Sequence, residues 1–171
     1  MMLLRKGGNA CNYRGPFKTR QRNTRQQILR FEDSDEVPLF EEIGHTIGFS
    51  VSIPCRMHGI VTFGSGRNSQ SLMISVGVKE KNNDSIIQDD FTISPLPGQK
   101  MYDVCFQKAI DIESDKVYVI TISFGEMNWM WNGRDGMSSL PFKHGEVIFT
   151  NEQATEETNT FQGQIAGVIL S

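Results

Sequence analysis

Three stretches of this sequence place an apolar residue at every second position, and this period of two restricts the possible folds more than any other feature. Apolar side chains occupy every second position in 46–53, in 72–78 and in 102–106. Because successive side chains of a β-strand point to opposite faces, a period of two gives each segment one apolar and one polar face. No segment has apolar residues at helical spacing over three turns. The sequence therefore predicts an all-β chain.

Shorter apolar segments, separated by turn residues, raise the expected number of strands. They lie at 28–31, 59–64, 86–93, 117–123, 147–149 and 165–170. The segment 117–123 is β-branched or aromatic at nearly every position, which is typical of a strand covered on both faces. We expect ten or more short strands arranged as an antiparallel β-sandwich.

Two regions lack this alternation and are expected to be loops. One is the acidic run 32–36, which is followed by Pro38. The other is the loop 128–134, which contains both tryptophans and lies within the region 124–145. The stretch 124–136, which includes 128–134, is too apolar for solvent-facing coil and, with three glycines, too rich in glycine for a core strand. Trp, Met and Arg are favoured at the centres of protein interfaces, so one reading is a binding loop. The other is that both tryptophans fold back over an open end of the sandwich. The candidate partner-binding residues are Asn128, Trp129, Met130, Trp131, Arg134 and Phe142.

Charge is distributed very unevenly along the chain. Residues 1–30 contain eight Lys or Arg and no Asp or Glu, although the whole chain has a net charge of -3. Few apolar residues interrupt this part, and we expect 1–27 to be disordered because they cannot bury enough surface to offset the ordering entropy. The sequence thus predicts a basic arm over 1–30 and a sandwich domain over 31–171. The arm is either a solvated linker or a weak contact for nucleic acid.

The remaining composition bears on the compartment of the chain. Three cysteines (Cys11, Cys55 and Cys105) are scattered and odd in number, which favours free thiols in a reducing environment. The first residues do not resemble a secretory signal, and no run approaches the roughly 20 apolar residues of a membrane span. We therefore expect a cytoplasmic protein that does not enter membranes.

Catalytic and metal-binding patterns are not recognisable in the sequence. Cys55 and His58 have a spacing found in metal sites, but two ligands fall short of the four of a zinc centre, and no second pair occurs. No nucleophile elbow or His-Glu-x-x-His motif is present. We expect no catalytic residues, no metal and no cofactor.

Several segments taken together resemble the PHR domain, a β-sandwich shared by Highwire-type ubiquitin ligases and BTB-containing ligase adaptors. The similar segments are Phe49–Val51, Gly59–Gly66, Val104–Phe106, Ala109–Ile112, Tyr118, Gly133–Gly136, Val147–Phe149 and Asn159–Ile165. The chain departs from the family pattern in the closing motif, where Thr160-Phe161 replaces Gly-Thr and Ala166 replaces Pro.

The resemblance implies a non-catalytic protein-interaction module that recognises substrates or partners for a ubiquitin ligase or its adaptor. A second hypothesis is a carbohydrate-binding sandwich in which Trp129 and Trp131 stack on sugar rings. A third is nucleic-acid contact through the basic arm. The sequence makes no prediction about the oligomeric state.

Overall fold

The computed structural model describes residues 24–39, 44–65, 71–125 and 128–171, and within these ranges it contains twelve strands and no helix. The first six strands are β1 (Gln26–Leu29), β2 (Asp33–Leu39), β3 (His45–Val51), β4 (Cys55–Phe63), β5 (Leu72–Glu80) and β6 (Ser85–Ile93). The other six are β7 (Met101–Ile112), β8 (Tyr118–Phe124), β9 (Asn128–Arg134), β10 (Ser139–Phe142), β11 (Gly145–Thr150) and β12 (Ile165–Leu170). The predicted all-β class is confirmed.

The strands form two main sheets that face each other. One sheet has four strands in the order β1-β12-β4-β7, and the other has six in the order β10-β11-β3-β8-β5-β6. Every pairing within them is antiparallel. A single cluster of buried side chains takes members from both sheets, including Phe49 and Ile60. The predicted antiparallel β-sandwich is therefore confirmed as well.

The three alternating segments correspond to β3, β5 and β7. Ile47, Ile74 and Val104 are among their buried apolar residues, and each lies in the common core. Burying one such side chain stabilises the folded state by about 1.5–3 kcal/mol. A one-residue shift in register would turn every buried side chain of the strand toward water and lose that stabilisation. This is why the alternation located these strands correctly.

The first strand lies slightly earlier in the chain than expected. β1 pairs with β12 from Gln26 onward, so Gln26 and Gln27, which were expected to be disordered, belong to a sheet. The sandwich thus includes residues 26–30, which precede the domain boundary expected at 31. The rest of the expected disordered arm, up to position 23, lies outside the described residues.

A two-stranded ribbon of β2 and β9 replaces both expected loops. The strands pair antiparallel along seven residues each, from Asp33 opposite Arg134 to Leu39 opposite Asn128. The prediction of a loop was wrong for 33–38 and for 128–134, because each segment looks irregular alone and becomes a strand by pairing with the other. Glu32 precedes β2 and is not part of a strand. We refer to β2 and β9 together as the ribbon.

The cysteines differ from the expectation of three free thiols. Cys55 is free and buried. Cys105 is disulfide-bonded, so the expectation was wrong at this position. Cys11 lies outside the described residues.

No helix in the described ranges is long and apolar enough to cross a lipid bilayer.

Candidate functional site

The ribbon is joined to the four-stranded sheet through β9. The backbone N–H of Trp131 donates to the carbonyl of Gly64, just beyond β4, at 2.9 Å. Farther along β9, Gly133 and Gly163 exchange two backbone hydrogen bonds of 2.9 and 3.1 Å, just before β12. Because β9 meets β4 and β12 in this way, the two faces of the ribbon continue the inner and outer faces of that sheet.

The inner face of β9 belongs to the interior of the sandwich. Met130 is 1% exposed and is part of the main core. Two residues later, Asn132 is buried, and its Oδ1 accepts a hydrogen bond of 3.1 Å from Nε2 of Gln164. Met130, rather than either tryptophan, therefore contributes the apolar side chain that β9 adds to the main core.

The outer face of β9 carries both tryptophans. Trp131 is half-buried against a second apolar cluster on the outer side of the four-stranded sheet. The buried members of this outer cluster are Val61, Phe63, Ala166 and Ile169. Lys100 Nζ lies 4.0 Å from the centroid of the Trp131 ring, a cation–π contact. One face of Trp131 is thus occupied by a cation within the chain itself.

Trp129 is the more accessible of the two tryptophans. It is 40% exposed and lies directly opposite Pro38 of β2. Strand alternation places it on the same face as Trp131, with Met130 pointing the other way. We call the outer side of the ribbon around Trp129, Trp131, Pro38 and Lys100 the ribbon surface.

Arg134 lies at the opposite end of β9 and, by alternation, on the face opposite to Trp129. Its Nε is 2.5 Å from Oδ2 of Asp35, and both side chains are about half exposed. An ion pair in such contact with water contributes at most about 1 kcal/mol. Because Arg134 lies on the opposite face and pairs with Asp35, it is not part of the ribbon surface.

The sequence candidates therefore do not form one patch. Phe142 is 1% exposed and, like Met130, belongs to the main core. Asn128 is paired through its backbone with Leu39, and its side chain lies outside the described part of the chain. Of the six candidates, Trp129 and Trp131 are the two that the structure brings together on an accessible face.

The buried titratable groups have properties unsuited to acid–base or thiol chemistry at neutral pH. Burial raises the pKa of the Cys55 thiol to about 11, although Lys143 opposes the shift. Burial also lowers the pKa of His45 to about 4, against the opposing charge of Glu157. A neutral thiol is a poor nucleophile, and the His45 imidazole, which shares a 2.9 Å hydrogen bond with Thr158 Oγ1, is 2% exposed.

Residues Cys55 and His58, which share a metal-like spacing, do not converge with other ligands in the described ranges. No group of three or more His, Cys, Asp or Glu side chains arranged to hold a metal ion occurs there. Nε2 of His58 instead shares a hydrogen bond of 2.7 Å with Oγ of Ser171.

Sequence reasoning missed three residues that shape this end of the molecule. Lys100 covers Trp131, Arg30 is fully buried, and Phe161 is 73% exposed. Only Phe161 carried a usable signal, since it is an apolar residue inside an otherwise polar turn. The positions of Lys100 and Arg30 depend on residues far away in the chain.

Comparison with known proteins adds one positive finding. The family model described as the PHR domain matches residues 29–170, a range that covers the sandwich from the end of β1 to the end of β12, together with the ribbon. None of the curated proteins matches the chain.

Proposed function

The chain belongs to the PHR-domain family, and from that premise we propose that it recognises substrates or partners for a ubiquitin ligase or its adaptor. The family is one of non-catalytic interaction modules, which supports the coarser assignment of a protein-interaction module. In our proposal the domain needs no cofactor and acts in the cytoplasm, although the disulfide at Cys105 removes the free-thiol argument for that compartment.

The single observation that carries the proposal is the exposure of Trp129 on a well-supported strand. β9 is bonded to β2 along its length and to the ends of β4 and β12, so its backbone is held on both sides. A tryptophan presented by such a backbone loses little conformational entropy when a partner covers it. Trp is also among the residues that contribute most to binding free energy at protein interfaces.

The ribbon surface suits a protein better than a carbohydrate. Stacking on sugars would need the ring faces of Trp129 and Trp131 to be open side by side. Lys100 Nζ lies over the Trp131 ring, and the same side chain donates a 3.3 Å hydrogen bond to Ser34 Oγ. Because Lys100 would first have to move away, the geometry favours a mixed apolar and polar contact centred on Trp129.

Nucleic-acid binding gains no support from the described part of the arm. Arg30, one of the eight cations counted there, has 0% exposure and cannot reach a phosphate. Arg25 is exposed, while the other six cations lie outside the described residues.

The proposal is tested by affinity purification of the tagged full chain from cells, comparing the wild type with Trp129→Ala. We expect subunits or substrates of a ubiquitin ligase among the recovered proteins, with recovery reduced at least tenfold by the substitution. The matched control is Met73→Ala, which removes another exposed apolar side chain (59%) from β5 of the six-stranded sheet.

Two results would contradict the proposal. One is a set of recovered proteins that contains no component or target of ubiquitin ligation. The other is equal loss of recovery in the Trp129 and Met73 variants, which would indicate nonspecific adsorption to apolar surface. Binding of the wild-type chain to a glycan array, with loss on Trp129→Ala, would favour the carbohydrate hypothesis instead.

A further inference from the structure

Phe161 is the most exposed large apolar side chain among the described residues, at 73%. It lies in the turn between β11 and β12, at the position where the chain departs from the family motif. Isolated exposed apolar residues are common on proteins and need no explanation by themselves. What distinguishes Phe161 is the way its backbone is held.

Both backbone polar groups of Phe161 form hydrogen bonds. Its N–H donates to Oδ1 of Asn159 at 2.9 Å, and its carbonyl accepts from the N–H of Gly136 at 3.0 Å. The first bond is local, and the second joins the turn to the residues that follow β9. The ring is therefore presented by an ordered backbone and not by a loose loop.

Arg30 forms hydrogen bonds to the residues on both sides of the Thr160–Phe161 pair. The Arg30 guanidinium donates to the carbonyls of Asn159 and Gln162, which flank the Thr160–Phe161 pair. The N–H of Thr160 donates to Oδ1 of Asn151 at 2.8 Å, and the side-chain amide of Gln162 donates to the Glu156 carbonyl at 2.9 Å. A turn held in this way loses little further conformational entropy when a partner binds, which is the property expected of an interface anchor.

Three acidic residues lie close to this turn, either in sequence or next to a residue that bonds to it. Glu156 and Glu157 precede it by a few residues, and Asp135 is adjacent to Gly136, whose N–H bonds to Phe161. None of the three carboxylates forms a salt bridge with another residue of the described ranges. A partner with Lys or Arg around its contact site would match this charge.

From these observations we propose that Phe161 is an anchor residue that inserts into an apolar pocket, rimmed by basic side chains, on a partner protein. The inference rests on the proposed interaction function and adds the partner's surface chemistry. It also adds a contact distinct from the ribbon surface. Trp129 and Gly133 are four residues apart on β9, about 13 Å at the rise of a strand, and Phe161 is bonded beyond Gly133.

The test uses photo-crosslinking of the full chain with p-benzoylphenylalanine placed at one of three positions: 161, 129 or, as a control, 73. After irradiation in the soluble fraction of cells expressing the chain, crosslinked peptides are mapped by mass spectrometry. We expect position 161 to crosslink to a protein surface that contains an apolar pocket flanked by Lys or Arg. Position 73 is expected to give no such product.

The protein identified in this way is then purified and its affinity measured for the wild type, Phe161→Ala, Glu156→Gln and Met73→Ala. We expect at least a tenfold loss for Phe161→Ala, a smaller loss for Glu156→Gln that vanishes at high salt, and no change for Met73→Ala. Because Phe161 is exposed, the melting temperature should be unchanged by its replacement.

The outcomes separate this inference from the proposed function. Crosslinking at position 129 but not at 161, or full affinity of Phe161→Ala, overturns the anchor and leaves the proposed function intact. Crosslinks at neither position overturn both. A crosslinked surface that is acidic, or that belongs to a second copy of this chain, also overturns the inference as stated.

Discussion

The guanidinium of Arg30 donates a 3.2 Å hydrogen bond to the backbone carbonyl of Gln162, joining the residue after β1 to a turn 132 positions later. The same group lies 4.2 Å from the centroid of the Phe31 ring and 5.3 Å from that of Phe149. Burial lowers the pKa of Arg30 to about 9, so the side chain is still charged at neutral pH. Within the part of the chain that the structure describes, its Nε and Nη1 atoms have no hydrogen-bond partner.

Replacement of Arg30 should therefore depend on the volume of the new side chain. Arg30→Ala leaves a cavity and removes the hydrogen bonds that the guanidinium donates to the carbonyls of Asn159 and Gln162, and we expect it to lower the free energy of unfolding by about 2–4 kcal/mol. Arg30→Met removes the same hydrogen bonds, but it fills most of the space and removes a buried charge, so we expect a change within about 1 kcal/mol. Urea denaturation of both variants measures this, and an alanine variant as stable as the wild type would contradict it.

Acidification should destabilise the domain through His45. Its pKa is lowered from 6.5 to about 4 in the folded chain, so the unfolded chain binds the proton more readily. The stabilisation is complete above pH 6.5 and is lost as the pH falls toward 4, by about 3 kcal/mol in total.

The measurement is the free energy of unfolding at several pH values for the wild type and for His45→Gln. The substitution should flatten the slope between pH 4 and 6.5, whatever its effect on stability at neutral pH. His58→Gln is the comparison, since burial lowers the pKa of His58 as well but to a lesser extent. An unchanged slope in His45→Gln would show that other groups dominate the acid response.

Trp129 and Trp131 should respond differently to replacement by alanine. Trp129→Ala removes an accessible side chain, and we expect an unchanged melting temperature with a loss of about 2 kcal/mol or more in partner binding, some thirtyfold in affinity. Trp131→Ala exposes the outer cluster, so we expect it to lower the free energy of unfolding by about 2 kcal/mol. Thermal unfolding and partner affinity, measured on both variants, distinguish these effects. If Trp129→Ala lowered the melting temperature and kept full affinity, Trp129 would be a structural residue.

Gly133 should not tolerate a side chain. A Cβ at this position would lie 2.1 Å from Cδ2 of Phe31, and we expect Gly133→Ala to lower the free energy of unfolding by about 1–3 kcal/mol. Gly125→Ala is the matched control, because no atom of the described residues, chain neighbours aside, lies within 4 Å of the Cβ position there.

A double substitution tests whether the Phe31 ring is the cause. In the background of Phe31→Ala, the additional cost of Gly133→Ala should largely disappear, which is a coupling between neighbouring residues. Additive costs in the double variant would mean that Gly133 is required for a different reason, such as its backbone pairing with Gly163.

The closing motif, Asn159–Ile165, shows what a local sequence pattern reveals about a residue and what it leaves open. Asn159, Gly163 and Gln164 were recognised as part of a family pattern, and the family assignment is confirmed. Their roles emerge only from distant contacts, since Gln164 donates to Asn132 and Gly163 pairs with Gly133. The pattern identified the residues but carried no information on these partners.

The sequence by itself determined the strands that bury one face, because burial imposes a period of two on the residues that form them. β3, β5 and β7 could be read in this way, and with them the sandwich. The ribbon could not, because β2 and β9 are strands only through each other and through β4 and β12. Tertiary structure alone decided that Met130 and Phe142 are core, that Arg30 is buried and that Trp129 is exposed. Each of these depends on contacts between residues distant in the chain, whereas alternation records only the solvent exposure of successive residues.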